Sequence, residues 1–542
     1  YNSDNLVTSE TNAMNQVTTF TYGSTGCGSC TGGVNKLTAL TDARTNATSF
    51  TYDKLGRVLT ETDPLGNTIS YVYDSNGNLT SRTDANNATT TYSYDDLSRL
   101  TGINYPDQTT ATYQYDSKDH ITSAANGHIA YNFTYDVNGR VTSVVDSNSR
   151  TINYTYDTRG NRTQMTTTDG RVIQYTYDND SRLTQITPQA GQVFAFTYDS
   201  ADRRTGLSYP NGVNAAYAYD TRSRLTSLEY KTSGNSVIDI FTYTLDAVGN
   251  RLTRADNEYQ YAYAYDPTDR LTQSQPAQTA QNPIFSQSNE AFTYDAVGNR
   301  LIGPAYSKAN TFIQSYAYDY ENRIVSATRQ VTGNPNADSV TFKYDPFGRR
   351  IEKNVSTYES GIPTTYKYTY VYDNEDIILE VLERTQNGNT TTTTTAYTHG
   401  PGIDEPLSLT RDGQTYYYHA DGLGSITSMT DSAQAVVNRY AYDSFGAPKS
   451  EETIRNAYAY TGREYDSETG LYYYRARYYD PEAGRFVSKD PIGFGGGDVN
   501  VFSYVQDNPV NLKDPTGLRC TYSQSTGQMT CVSDQTGVKY YN

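Results

Sequence analysis

His419, Asp421 and Ser425 are the residue types of a nucleophilic triad, in which an imidazole takes the proton of a serine hydroxyl and a carboxylate orients the ring. Their spacing argues against it, because positions i, i+2 and i+6 along strands need not converge. Cys27-Gly28-Ser29-Cys30 could supply two zinc ligands, but no second Cys or His pair has matching spacing, so the sequence implies neither a metal nor a cofactor. Cys520 and Cys531 could close a hairpin disulfide or stay reduced, which leaves the redox compartment open. His120, His128 and His399 are isolated and read as surface or turn residues. Asp490 and Asp514 each precede a proline, with Gly493, Gly495, Gly496 and Gly497 between them. Read alone, an Asp before Pro forms a turn.

The elements that must position these residues come from a repeat. Tyr-Asp pairs begin at Tyr52, Tyr73, Tyr94, Tyr115, Tyr135, Tyr156, Tyr177, Tyr198 and Tyr219, a step of 21 residues with a single step of 20. The series loosens through Leu245-Asp246, Tyr265, Tyr294, Tyr318 and Tyr344, giving fourteen units. In one unit Thr48, Phe50 and Tyr52 point to one side, the alternation of a strand. Asp53-Lys54-Leu55-Gly56 has the chemistry of a tight turn, 57–62 is the return strand, and Asp63-Pro64-Leu65-Gly66 makes the second turn. Asn387-Gly388 is a further hairpin signal. The Asp of each Tyr-Asp pair is therefore turn chemistry, not one of fourteen active sites.

Nothing shows sustained helical periodicity, so the chain is all-β. Two strands per unit give about 28 strands, and open sheets beyond about ten strands curl, split or close. A spiralling antiparallel sheet of hairpins forming a large hollow shell is the expected architecture. Composition narrows the function. Hydrophobic residues are 36% of the chain, but 55 of them are Tyr, which leaves a thin conventional core. A net charge of −17 argues against nucleic acid and against an anionic membrane surface. No apolar run approaches the ~18 residues of a spanning helix. The chain opens at Tyr1 without a signal-like region and reads as a processed product or a piece of something longer.

The unit Tyr52-Asp53-Lys54-Leu55-Gly56-Arg57 resembles the YD repeat of Rhs proteins. The C-terminal part resembles the Rhs repeat-associated core domain more specifically. Its segments run from Tyr417 to Ser425, from Tyr440 to Gly446, from Tyr458 to Arg463 and from Gly470 to Pro481. Gly484-Arg485-Phe486, Asp490-Pro491-Ile492-Gly493 and Asn508 to Leu518 complete it. The resemblance implies a β-shell around a C-terminal toxin segment as encapsulated cargo, closed at one end by the core domain, as in bacterial Rhs effectors and the Tc-toxin C component. It implies secretion or surface display by a bacterium, with secretion-system or toxin-complex components as partners.

It also implies that the core is an intramolecular aspartyl peptidase cutting after the second Asp-Pro-x-Gly motif. Asp490 and Asp514 are then the catalytic pair, Arg477 orients a carboxylate or stabilises developing charge, and the cut falls between Leu518 and Arg519. Two carboxylates brought close cannot both ionise easily. The charged one activates water while the protonated one polarises the scissile carbonyl. The chain divides into a repeat array over 1–400, a core over 401–518 and a tail over 519–542, too short for an enzyme of its own. The rival reading is an extracellular or cell-surface adhesion protein whose Tyr-rich surface stacks on carbohydrate or partner proteins and needs no cleavage site.

Overall fold

The computed structural model describes residues 1–23, 35–189, 191–294, 300–302, 312–331, 338–496, 498–518, 521–522 and 529–530. The all-β expectation holds throughout them: the only helical pieces are short 3-10 turns at Tyr460–Gly462, Gly493–Gly496 and Val505–Asp507. Strands Ala47–Tyr52, Val58–Thr62 and Thr68–Tyr73 follow one another antiparallel, as the unit reading predicts. The turn between the first two closes with the Gly56 N–H on the Asp53 carbonyl (3.1 Å), and Gly56 takes φ +78°. The two-residue Asn387-Gly388 turn joins Asp376–Gln386 to Asn389–His399, with Gln386 opposite Asn389.

One set of contacts locks each unit to the next. The Asp53 Oδ1 accepts the N–H groups of Leu55 and Arg57 (2.9 Å each), capping its own turn. Its Oδ2 holds the Arg57 Nε at 2.6 Å. The Arg57 Nη1 then donates to the Asp74 carbonyl one unit on (2.9 Å), and the guanidinium lies 4.7 Å from the Tyr73 ring centre. Arg99, Arg140, Arg182 and Arg203 repeat the arrangement over Tyr115, Tyr156, Tyr198 and Tyr219. In the other direction, Tyr52, Tyr94, Tyr115, Tyr156, Tyr177, Tyr198 and Tyr219 each donate the hydroxyl to the carbonyl fifteen residues earlier. Such a bond is worth about 1 kcal/mol net. His120 stands where an arginine would: its Nδ1 meets the Asp116 Oδ2 at 2.9 Å, and its ring stacks on Tyr135 at 4.6 Å.

These contacts build a sheet of 26 strands from Ser9–Thr11 to Glu290–Ala291 and a second of 12 strands from Phe312–Tyr318 to Pro448–Glu452. The expected hollow shell closed at one end by the core domain does not form. Among the described residues, Ser9–Thr11 pairs only with Val17–Tyr22 and Glu290–Ala291 only with Leu271–Gln278, and the end strands of the second sheet likewise have one neighbour each. Among the described residues, no sheet is closed into a shell or barrel. The physical reason is that the locking contacts act between successive units and carry no information about the far edge.

Apolar surface is instead buried where the two sheets meet. Phe194, Leu207, Leu228 and Phe241 of the first share a core with Val371, Leu379, Leu407 and Tyr417 of the second. Tyrosine hydroxyls bridge the two: Tyr209 donates to the Tyr418 carbonyl and Tyr230 to the Ala420 carbonyl, each at 2.9 Å. Tyr154 donates to the Asp373 carboxylate, also at 2.9 Å.

Four short strands follow, Glu464–Asp466, Leu471–Tyr474, Arg477–Asp480 and Arg485–Phe486. Tyr472, Tyr474, Tyr479, Phe486 and Tyr504 form a fully buried aromatic core beneath them. Buried Arg350 and Lys353 of the second sheet pair with Asp466, which fixes this small sheet in place.

The locking contacts predict how the array tolerates shortening. Deleting residues 73–93 brings Tyr94-Asp95 into the places of Tyr73-Asp74, so Arg57 regains a ring and a carbonyl. The shortened chain should be soluble and protease-resistant. Deleting 73–83 removes one strand, reverses the direction of those that follow and inverts their faces. It should give insoluble protein, as soluble yield and limited proteolysis would read out.

Candidate active site

The site is built on the turn between Leu471–Tyr474 and Arg477–Asp480. Tyr474 lies opposite Arg477, and Arg475 between them takes φ +56°. This turn holds the segment 515–517 carbonyl by carbonyl. The Ala476 N–H donates to the Thr516 carbonyl at 3.1 Å. The Arg475 Nη1 donates to the Pro515 carbonyl, and the Arg477 Nε to the Gly517 carbonyl. Gly517 cannot carry a side chain here: it takes φ +68°, and a Cβ would stand 2.2 Å from the Tyr474 carbonyl oxygen.

Arg477 collects the two predicted carboxylates. Its Nη2 lies 2.9 Å from the Asp490 Oδ2 and 3.5 Å from the Asp514 Oδ2, so both aspartates converge on one nitrogen. The Arg477 Nη1 donates to the Val501 carbonyl (3.2 Å), and the guanidinium carbon sits 3.6 Å from the Phe486 ring centre. Asp490 also does what Asp before Pro suggests, since its Oδ1 accepts the Ile492 N–H (3.0 Å) at the head of the turn containing Gly493–Gly496. That turn is seated on the first sheet, with Phe494 edge-on to Phe50 at 6.5 Å and the Lys489 ammonium 3.3 Å from Asp63.

Burial governs the electrostatics. It pushes the Asp514 carboxyl up to about 7 against the pull of Arg477, with the neighbouring Asp490 charge adding to the rise. Asp490 is also raised by burial, with Arg477 opposing, and burial lowers the Arg477 guanidinium. The carboxylate nearer the guanidinium is the better placed to stay ionised, and the more buried one to hold a proton. The turn aspartates of the repeat show the reverse: backbone and side-chain hydrogen bonds from Arg140 hold Asp136 below the usual carboxylate range.

The remaining sequence candidates do not assemble. His419 is buried against Tyr209 and Tyr230, hydrogen-bonds to the Thr430 hydroxyl (2.9 Å) and is lowered to about 3 by burial. Asp421 caps its own turn through the Leu423 and Ser425 N–H groups, and the Ser425 hydroxyl accepts the Thr461 N–H. His399 bonds the Ile377 carbonyl (2.9 Å). Cys27, Cys30, Gly497, Arg519, Cys520 and Cys531 lie outside the described residues.

Sequence reasoning missed Thr516. Its hydroxyl lies 3.3 Å from the Asp514 Oδ1 and 2.7 Å from the Leu518 carbonyl oxygen, and it accepts the Leu518 N–H at 3.2 Å. It also missed the clamp formed by 475–477. The only signal for either was the Pro-Thr-Gly triplet behind Asp514, and no periodicity pairs that triplet with Arg-Ala-Arg at 475–477.

Residues 33–68 and 73–110 match the RHS repeat, and residues 121–216 and 213–510 match the teneurin YD-shell. The tRNA3(Ser)-specific nuclease WapA of Bacillus spizizenii is 31% identical over 285 residues, 51% of this chain and 11% of that protein. The double-stranded DNA deaminase toxin A of Burkholderia cenocepacia is 26% identical over 358 residues, 55% of this chain and 24% of that protein. The chain thus spans a minor part of the length of the curated relatives it matches. A TcdB2–TccC3 structure without its hypervariable C-terminal region superposes with a TM-score of 0.78 at 20% identity, covering 93% of this chain and 30% of that one. At that identity the likeness establishes a shared fold.

The raised Asp514 makes stability depend on pH. Its ordinary value is near 3.8 and its folded value about 7, so the folded state binds the extra proton between them. Its contribution is fully present below pH ~4 and is lost as pH rises through about 7. Asp514→Asn removes the titration. The melting temperature of wild type should therefore fall relative to that of Asp514→Asn between pH 5 and pH 8, measured by calorimetry.

Proposed function

This chain belongs to the Rhs/YD-repeat family, related to bacterial Rhs effectors and Tc-toxin C components, and on that premise we propose a toxin-associated carrier that cuts its own backbone between Leu518 and Arg519. The observation that carries the reading is the convergence of Asp490 and Asp514 on one buried guanidinium nitrogen, beside a segment clamped so that the Leu518 carbonyl lies next to Asp514's own partner, Thr516. Asp490, nearer Arg477, accepts a proton from the attacking water. Asp514 supplies a proton to the carbonyl oxygen, and the Arg519 nitrogen leaves after taking the proton held by Asp490. Arg477 keeps the pair from repelling and fixes the strand leading to the cut through the Gly517 carbonyl.

In this reading 1–400 is the repeat array, 401–518 the core that carries the peptidase, and 519–542 the start of a variable, toxin-bearing region released by the cut. The relatives support a bacterial, secreted or surface-associated setting, with a further toxin-complex component as partner. The adhesion reading gives no task to two buried carboxylates sharing an arginine.

Fresh full chain, analysed by intact mass, should resolve into 1–518 and 519–542. The rate should be first order and independent of protein concentration, since acid, base and substrate share one chain. Asp490→Asn should slow it by about 10²-fold or more. A folded wild type that stays whole, or an Asp490→Asn chain that cuts at the wild-type rate, rejects the peptidase.

A further inference from the structure

The Thr516 hydroxyl is within hydrogen-bond reach of both the Asp514 carboxyl and the Leu518 carbonyl oxygen. It stands 3.3 Å from the Asp514 Oδ1 and 2.7 Å from the Leu518 carbonyl oxygen. A hydroxyl has one proton to give and lone pairs to receive with. Here the Leu518 N–H (3.2 Å) occupies one acceptor direction. With Asp514 ionised, the hydroxyl can donate to it. With Asp514 protonated, the single hydroxyl proton goes to the shorter contact, the carbonyl oxygen, and Thr516 Oγ1 receives from Asp514. The backbone holds this geometry firmly, because the Thr516 carbonyl is pinned by the Ala476 N–H (3.1 Å) and the next carbonyl by Arg477.

Resting on the self-cleavage reading, we propose that Thr516 is a catalytic proton relay, passing the Asp514 proton to the scissile Leu518 carbonyl oxygen. The step balances. Water oxygen bonds the Leu518 carbonyl carbon and its proton goes to Asp490. The Thr516 hydroxyl proton moves to the carbonyl oxygen, and the Asp514 proton replaces it on Thr516. The resulting gem-diol collapses as the C–N bond breaks. Asp490 protonates the leaving Arg519 nitrogen, while a diol proton returns through Thr516 to Asp514. The products are the Leu518 carboxylic acid and a new amino terminus, with both aspartates and the threonine restored.

Valine at 516 keeps the branched shape and loses the hydroxyl, whereas serine keeps the hydroxyl. Among the described residues, the charged groups facing Asp514 are Arg477 and Asp490, and neither is altered by these changes. Pulse-labelled synthesis of the full chain, followed over time by intact mass, measures each rate. Thr516→Val should slow cleavage by about 10²-fold or more, and Thr516→Ser should stay within about tenfold of wild type. Wild type should lose rate as pH rises through about 7, when Asp514 gives up its proton. The residual rate of Thr516→Val should be indifferent to pH there, which a merely structural threonine would not cause. Should Thr516→Val melt early, Thr516→Ala against Thr516→Ser makes the same comparison.

A Thr516→Val chain cutting within about threefold of wild type, or slowed no more than Thr516→Ser, overturns the relay and leaves the peptidase standing. A folded wild type that never cuts overturns both.

Discussion

A carboxylate that caps its own turn with one oxygen and grips an arginine with the other is the interaction on which this molecule rests. In Asp53, Asp95, Asp136, Asp178, Asp199 and Asp220 the first oxygen satisfies two backbone N–H groups and the second orients the guanidinium. Only a planar fork can then reach the next unit's carbonyl while lying over its tyrosine ring. Turn geometry is thereby converted into the geometry between units, at nearly constant register. Where arginine is absent the second oxygen is still occupied: Asn78 and Asn161 hold it at 2.9 Å, and His120 does so while stacking on the next tyrosine. Since every such link reaches one unit and no further, the array extends without closing among the described residues, and its face over residues 152–243 is buried against the second sheet.

That division explains what the sequence makes legible. Strand alternation, turn residues and the 21-residue step are local properties, and strands at 47–52, 58–62 and 68–73 stand where pattern alone puts them. Closure is a long-range property with no local correlate, and there the expectation of a shell fails. The site divides in the same way. The family motif brings Asp490, Asp514 and Arg477 into view together, but spacing alone reads both aspartates as turn formers, and Asp490 caps its turn as that reading demands. The clamp at 475–477 is invisible because its partners lie about forty residues away on a different element. Thr516, whose hydroxyl meets Asp514 and Leu518 two residues away, looks in sequence like any other turn residue. The triad residues at 419–425 share a motif but no catalytic contact: His419 bonds Thr430, Asp421 takes backbone N–H groups of its own turn, and the Ser425 hydroxyl accepts from Thr461.

The charge balance of the site follows from burial. One guanidinium faces two carboxylates with little access to water. With both ionised, a net negative charge would be left in a poorly solvating environment. With one protonated, the group is neutral and each polar atom keeps a hydrogen-bonding role. The proton belongs on the carboxyl farther from Arg477 and deeper in the fold, which is Asp514. Among the described residues, asymmetry between acid and base thus arises from two unequal distances to one guanidinium in a buried setting.

The same contacts explain why such a site would act once and only on its own chain. Residues 515–517 are strapped to the turn at 475–477 by consecutive backbone carbonyls, which fixes the next carbonyl, Leu518, without any diffusive binding step. After a cut the strap would remain in place, so the new terminus would block its own site. The site also draws support from distant chain. The Asp490 turn rests on Phe50 and Asp63 of the first sheet, and the small sheet bearing Arg477 hangs on Arg350 and Lys353 of the second. The dyad and its arginine thus sit on elements that also touch both sheets, so the geometry proposed to cut is supported by chain far from the residues that would perform it.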